Sequence, residues 1–171
     1  MSKAFTKEDD DRPEPRPTRR PVGTLPPGAR NYLTADGARS LREELERLLA
    51  EGGKGVRTAV QTPASEVTGR VTEIRRILRT ATVVQPRPGV PDQVRFGNRI
   101  RVRGANGERT YRIVGVDEAD PDRGWVSWIS PVAKALLNGR VGDRVPLVTP
   151  EGDEALEILE IESGVDQRAD G

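Results

Sequence analysis

Apolar residues recur along this chain with two different periods, and the change of period divides it. Leu41, Leu45, Leu48 and Leu49 fall at i, i+4, i+7 and i+8, one stripe of an amphipathic helix. Thr34 is placed to cap that helix, and Asp36 falls in its first turn, where the helix dipole favours a negative charge. Gly52-Gly53-Lys54-Gly55 stops it. A second stripe follows, made of Val67, Val71, Ile74, Leu78 and Ala81, with Thr62 as N-cap and Pro63 at the first helical position. Two stripes split by a short breaker predict an antiparallel helical hairpin, a coiled coil with one apolar seam, over residues 31–85. Gly69 sits inside the second helix at a cost of about 1 kcal/mol relative to alanine. It marks either a close approach of the two arms or a tolerated defect.

After a proline-rich linker, residues 86–93, the period becomes two. Ile100 and Val102 alternate with Arg99, Arg101 and Arg103, which reads as a half-buried strand. Asn106-Gly107 is the strongest local hairpin signal in the chain. Tyr111, Ile113 and Gly115 then alternate with Arg112 and Val114, and Asp120-Pro121-Asp122-Arg123-Gly124 makes a loop. Trp125 to Ile129 reads as another strand. Ser130-Pro131 supplies an N-cap oxygen followed by proline at N1, Val132, Ala135 and Leu136 give a short apolar face, and Asn138-Gly139 ends the helix. Val145 to Val148 and Leu156 to Ile161 are two further strands, joined by a turn at Pro150-Glu151-Gly152. Residues 94–162 therefore predict a small domain of antiparallel strands and one short helix, so the chain as a whole is α+β.

Both ends read as tails, over residues 1–30 and 163–171. The first carries Asp9-Asp10-Asp11 and prolines interleaved with arginines; its apolar residues are too sparse to offset the entropy of ordering it. Disorder or polyproline II is expected there, with Arg19-Arg20 in a solvated linker. Lys and Arg number 28 against 27 Asp and Glu, so no global basic field draws the chain onto bare nucleic acid. The chain has no cysteine and no histidine, which excludes thiol chemistry, Ser-His-Asp triads and Cys/His zinc sites. The longest apolar runs are a few residues and the first residues lack an apolar h-region, so a cytoplasmic protein with no membrane role is expected.

Five blocks resemble the bacterial GreA/GreB family of transcription elongation factors and occur in the family order. They are Leu41 to Leu45 with Glu73 to Leu78, then Val94-Arg95-Phe96-Gly97, Tyr111 to Asp120, Ile129 to Leu137 with Val141-Gly142-Asp143, and Thr149 to Gly152. The resemblance covers most of residues 31–162. It implies a C-terminal domain of FKBP-like fold that docks on the rim of the secondary channel of RNA polymerase. A coiled coil then reaches towards the catalytic centre, where acidic tip residues help to hold a second magnesium ion for transcript cleavage. In that scheme the polymerase performs the two-metal hydrolysis. The resemblance implies a monomer without a catalytic residue, metal or cofactor of its own, which meets nucleic acid only within the elongation complex.

The tip departs from the family. Between long arms the family carries an Asp-Leu-Ser-Glu-Asn-Ala-like segment, where this chain has Gly52 to Pro63 between helices shorter by roughly two turns each, a deficit on the order of 10 Å. The charged residues near the tip are Glu51, Lys54, Arg57 and Glu66. Ser65-Glu66 is either a remnant of the family's Ser-Glu pair or the first turn of a helix, and the second reading is preferred. A magnesium ligand must sit about 2.1 Å from the ion, so a shortened arm without paired acids argues against cleavage stimulation. The expected polymerase-binding residues are Trp128, Ile129, Ser130, Pro131, Ala133 and Lys134. Ser130 and Pro131 cap a helix whatever the function, and Trp128 and Ile129 belong partly to the core.

Two other readings stand beside this one. Short-armed relatives such as the regulator of nucleoside diphosphate kinase resemble the family with a reduced hairpin, so an interaction protein competing with other secondary-channel factors is the alternative. A prolyl isomerase would need aromatics converging on a pocket, and the C-terminal part offers Phe96, Tyr111, Trp125 and Trp128. Asp117, Glu118 and Asp120 read as an acidic surface loop rather than a cation site.

Overall fold

The computed structural model describes residues 25–53, 64–149 and 152–164. The expected cap at Thr62-Pro63, the turn residues Pro150 and Glu151, and residues 1–24 and 165–171 of the two tails lie outside the described residues.

Strand β1 (Tyr32–Thr34) runs directly into helix α1 (Ala35–Gly53), and helix α2 (Ala64–Thr80) runs into strand β2 (Thr82–Val84). The periodic pattern placed both three-residue strands inside the helical region. They pair in parallel instead, Tyr32 opposite Thr82 and Thr34 opposite Val84. Thr82-Val83-Val84 is a β-branched run that fits a strand better than a last helical turn. Thr34 caps α1 as expected, its Oγ1 accepting from the Gly37 N–H at 3.0 Å.

The two helices pack side by side around Leu33, Ala38, Leu41, Ile74 and Ile77, all buried, with Leu45, Leu48 and Leu78 against them. Leu49 is 47% exposed and lies off this seam, so the stripe on α1 runs out towards the tip. Ile77, outside the expected stripe of α2, is fully part of it. Arg70 of α2 donates from Nε and Nη2 to the two carboxylate oxygens of Glu44 on α1, at 2.8 and 2.9 Å. The hydrogen bonds from Arg70 hold the Glu44 carboxyl below its ordinary pKa, and the same pair raises Arg70. Gly69 has open space where a Cβ would stand, so it is a tolerated defect and not a close approach.

Beyond the linker, β3 (Arg99–Gly104), β4 (Gly107–Val114), β5 (Trp125–Ser127), β6 (Arg144–Thr149) and β7 (Gly152–Glu162) form one sheet in the order β5-β4-β3-β7-β6. The β3–β4 hairpin turns at Ala105-Asn106, one residue before the expected Asn106-Gly107, because Gly107 already pairs with Gly104 at the start of β4. The expectation of a purely antiparallel sheet is corrected at one edge, because β5 pairs with β4 in parallel, Arg112 opposite Trp125. The chain crosses over between them through two 3₁₀ turns, Val116–Glu118 and Pro121–Arg123, which return it to start β5 in the same direction. Strand β5 also stops at Ser127, leaving Trp128 and Ile129 in a turn.

Helix α3 (Pro131–Leu136) covers the inner face of the sheet. Its Ala133 and Leu136 join Val94, Ile100, Val102, Ile113, Leu156 and Ile158 in the main core. Burying a Leu or Ile fully contributes about 1.5–3 kcal/mol, so this layer is the main source of stability here. On the other face Arg101 bridges Glu108 of β4 and Glu160 of β7, and Arg103 reaches Glu108. The arginines that alternate with Ile100 and Val102 are thus matched by glutamates on the flanking strands, as cross-strand pairing favours.

Candidate functional site

The loop from β5 into α3 is built from short-range bonds. Trp128 N–H donates to Val114 O at 3.0 Å, holding the turn against β4. Ser130 has extended backbone, and its Oγ accepts from the Ala133 N–H at 3.2 Å, with Pro131 following at N1. This fulfils the capping expected from Ser130-Pro131 and fixes which side chains look outwards. Pro131 and Lys134 are exposed, one helical turn apart, while Ser130, Ile129 and Trp128 are half-buried. Ala133 does not belong to the outward set. It has no exposed surface and packs into the sheet core, because position three of so short a helix faces the layer beneath.

Trp128 faces inwards as well, meeting the Tyr32 ring of β1 edge-on at 5.5 Å between centroids. Tyr32 also meets Phe96 at 5.9 Å. The β5–α3 loop is therefore braced from behind by the base of the helical pair. These aromatics are spent on packing. Trp125 lies 3.8 Å beneath the Arg123 guanidinium and 5.3 Å from that of Arg112, so its ring is engaged by these cations, while Phe96, Tyr111 and Trp128 pack against the sheet core.

The junction between arm and sheet is the part that the sequence did not disclose. Glu118, read as a surface acid, accepts from Thr34 N–H at 2.9 Å and from Gly115 N–H at 3.0 Å, and also from Thr34 Oγ1. Its carboxylate occupies the positive end of α1, where a fixed negative charge is favoured. Asp117 accepts from Asn31 Nδ2 at 2.8 Å, and Asp120 accepts from Asp122 N–H at 3.2 Å. None of the three is left over for a cation. Two glycines make the approach feasible: a Cβ on Gly37 would run into the Glu118 carboxylate, and one on Gly115 into the Tyr32 carbonyl. Beside this clasp, Arg112 of β4 reaches Asp36 of α1 at 2.7 Å. The available signal was the pair of glycines, one in a helix start and one before an acidic turn.

At the tip, Glu51 closes the last turns of α1 and Glu66 stands in the first turn of α2, both exposed. Glu66 is thus a first-turn helical acid, whereas Lys54 and Arg57 lie outside the described residues. Among the described residues no group of three or more acids could hold a metal ion. Nor is any described helix long and apolar enough to cross a membrane.

Two packed helices with their own strand pair, beside a mixed five-stranded sheet, define an α+β protein. Residues 88–163 match the family described as transcription elongation factor, GreA/GreB, C-term. A GreA from Roseiflexus sp. (strain RS-1) is 34% identical over 151 residues, covering 77% of this chain and 96% of that protein. A GreB from Neisseria meningitidis serogroup A / serotype 4A (strain DSM 15465 / Z2491) is 35% identical over 153 residues, covering 78% and 94%. The chain belongs to the GreA/GreB family of transcription elongation factors. Among solved structures, GreA factor homolog 1 (Gfh1) of Thermus thermophilus is 22% identical with a TM-score of 0.39, covering 79% of this chain and 100% of that one.

Proposed function

We propose that this chain docks on the rim of the RNA polymerase secondary channel through Pro131 and Lys134, with Ile129 and Ser130 beside them. Its α1–α2 pair, an antiparallel coiled coil, then projects into the channel and regulates elongation from there. The observation that carries this reading is the loop itself: an exposed proline and lysine on a capped helix start, held rigid by Trp128 against the arm. An anchor of this kind loses little entropy on binding. The FKBP-like character of the sheet domain belongs to the same reading.

The arm is short for cleavage chemistry. Helix α1 has 19 residues and α2 has 17, lengths of about 28 and 25 Å. The match to the Roseiflexus relative runs over 151 residues yet takes up only 77% of the 171 here, so the relative has more residues between the same matched ends. Glu51 and Glu66 stand on separate helices with no metal-holding group of three acids among the described residues, which does not fit a magnesium-holding set of their own. The reading is therefore a channel-occupying regulator that leaves hydrolysis and its magnesium to the polymerase.

A backtracked elongation complex incubated with the chain and magnesium tests it. The expected result is no added cleavage, together with displacement of a cleavage-competent Gre factor. Cleavage that disappears in Glu66→Ala would overturn the account of the tip, and failure to compete would overturn the docking.

A further inference from the structure

A cleft of about 640 Å3 opens where the start of α1, the proline-rich segment 84–94 and the turn at 95–98 meet. That volume lies within the range of small-molecule sites. Arg39, Arg87, Arg95 and Arg112 line it, against Asp36 and Asp92. Arg39 and Arg112 share Asp36. Arg95 donates to the neutral Gln93 side chain at 3.1 Å, and Arg87 has no carboxylate partner among the described residues. Arg112 is 4% exposed; its Nη2 donates to Asp36 and to the Gly164 carbonyl, and its Nε has no acceptor among the described residues. A buried guanidinium with an idle donor is costly, and a ligand oxygen would relieve it. Pro88, Pro91 and Phe96 add apolar surface to the same cleft.

We propose that this cleft binds a small phosphate-bearing anion. Four arginines facing two carboxylates leave an excess of positive charge, and guanidinium forks match phosphate oxygens in pairs. The apolar wall beside them suits a ligand with a flat organic part, as a nucleotide has. The site stands on α1, the linker and β4 together, and its occupation does not depend on docking to polymerase.

Calorimetric titration of the full chain with inorganic pyrophosphate, and separately with GTP, tests the proposal. Saturable single-site binding is expected, weakened at least about tenfold in the double variant Arg87→Ala, Arg95→Ala. Both residues are exposed, so an unchanged circular dichroism spectrum is expected alongside. GTP binding more tightly than pyrophosphate assigns a nucleotide, while equal affinity assigns phosphate alone. Absence of saturable binding by either probe, or a double variant that binds like the parent, overturns the site.

Discussion

Asp36 and Arg112 are joined by a 2.7 Å ion pair that links the first turn of α1 to the middle of β4. The Arg112 side chain is 4% exposed and that of Asp36 21%, so the pair is largely withdrawn from water. Removing the carboxylate leaves a buried guanidinium uncompensated. Asp36→Ala is expected to cost about 2–3 kcal/mol in denaturant unfolding. Arg39→Ala, which removes the exposed partner of the same aspartate, is expected to change stability by less than about 0.5 kcal/mol. Equal effects of the two variants would show that burial of Arg112 is not what makes this pair matter.

Two helical glycines should respond to alanine with opposite signs. At Gly69 nothing stands where the Cβ would go, so Gly69→Ala should raise stability by about 1 kcal/mol through helix propensity alone. At Gly37 the new Cβ would meet the Glu118 carboxylate. Displacing it strands the Thr34 and Gly115 N–H donors, at a cost of about 1–3 kcal/mol for each buried donor left unmade. Gly37→Ala should therefore lower the melting temperature, and a rise there would contradict the clasp.

The Glu44–Arg70 pair makes a pH-dependent contribution. Its hydrogen bonds depress the Glu44 pKa in the folded state, so its stabilisation is fully present above the unfolded value. It is lost as pH falls through the lowered folded value. Arg70 is 40% exposed, which limits the effect to about 0.5 kcal/mol. The melting difference between the parent and Glu44→Gln should stay constant near neutrality and shrink below about pH 4. A difference that grows on acidification would reverse the assignment.

For docking, Pro131→Glu and Lys134→Glu are each expected to weaken polymerase binding about tenfold or more, with helix content unchanged. Ser130→Ala is expected to act differently, losing about 1 kcal/mol of stability through the cap. Binding by surface-immobilised polymerase separates the two effects. Unaltered affinity in both charge variants would place the docking surface elsewhere.

The parts of this fold legible in the sequence are those fixed by neighbours in the chain. Ser130-Pro131 caps α3 through a bond three residues away, and Asn106-Gly107 marks the β3–β4 turn through local backbone preference. The Leu41 and Ile74 seam follows from helical spacing. What escaped depends on partners far along the chain. Glu118 reads as a loop acid until Thr34, 84 positions earlier, is brought beside it. Arg112 occupies the polar phase of its strand and is buried nonetheless, because α1 packs over that part of the face. The parallel β4–β5 edge leaves no period of its own, since the two strands share the same alternation whichever way they run. Ala133 shows the converse limit: a block that resembles a family motif mixes residues exposed to solvent, such as Pro131 and Lys134, with residues that hold the loop up.

The pairing of β1 with β2 ties the entry of α1 to the exit of α2, at the end of the arm opposite the tip. The arm is thereby a lever whose fulcrum, made of this strand pair with Glu118 and Arg112, is complete without the far end. Turns can be removed at the tip without loosening the mounting. Within such a mounting, the length of the helical pair is an independent variable, free to change while its root stays the same.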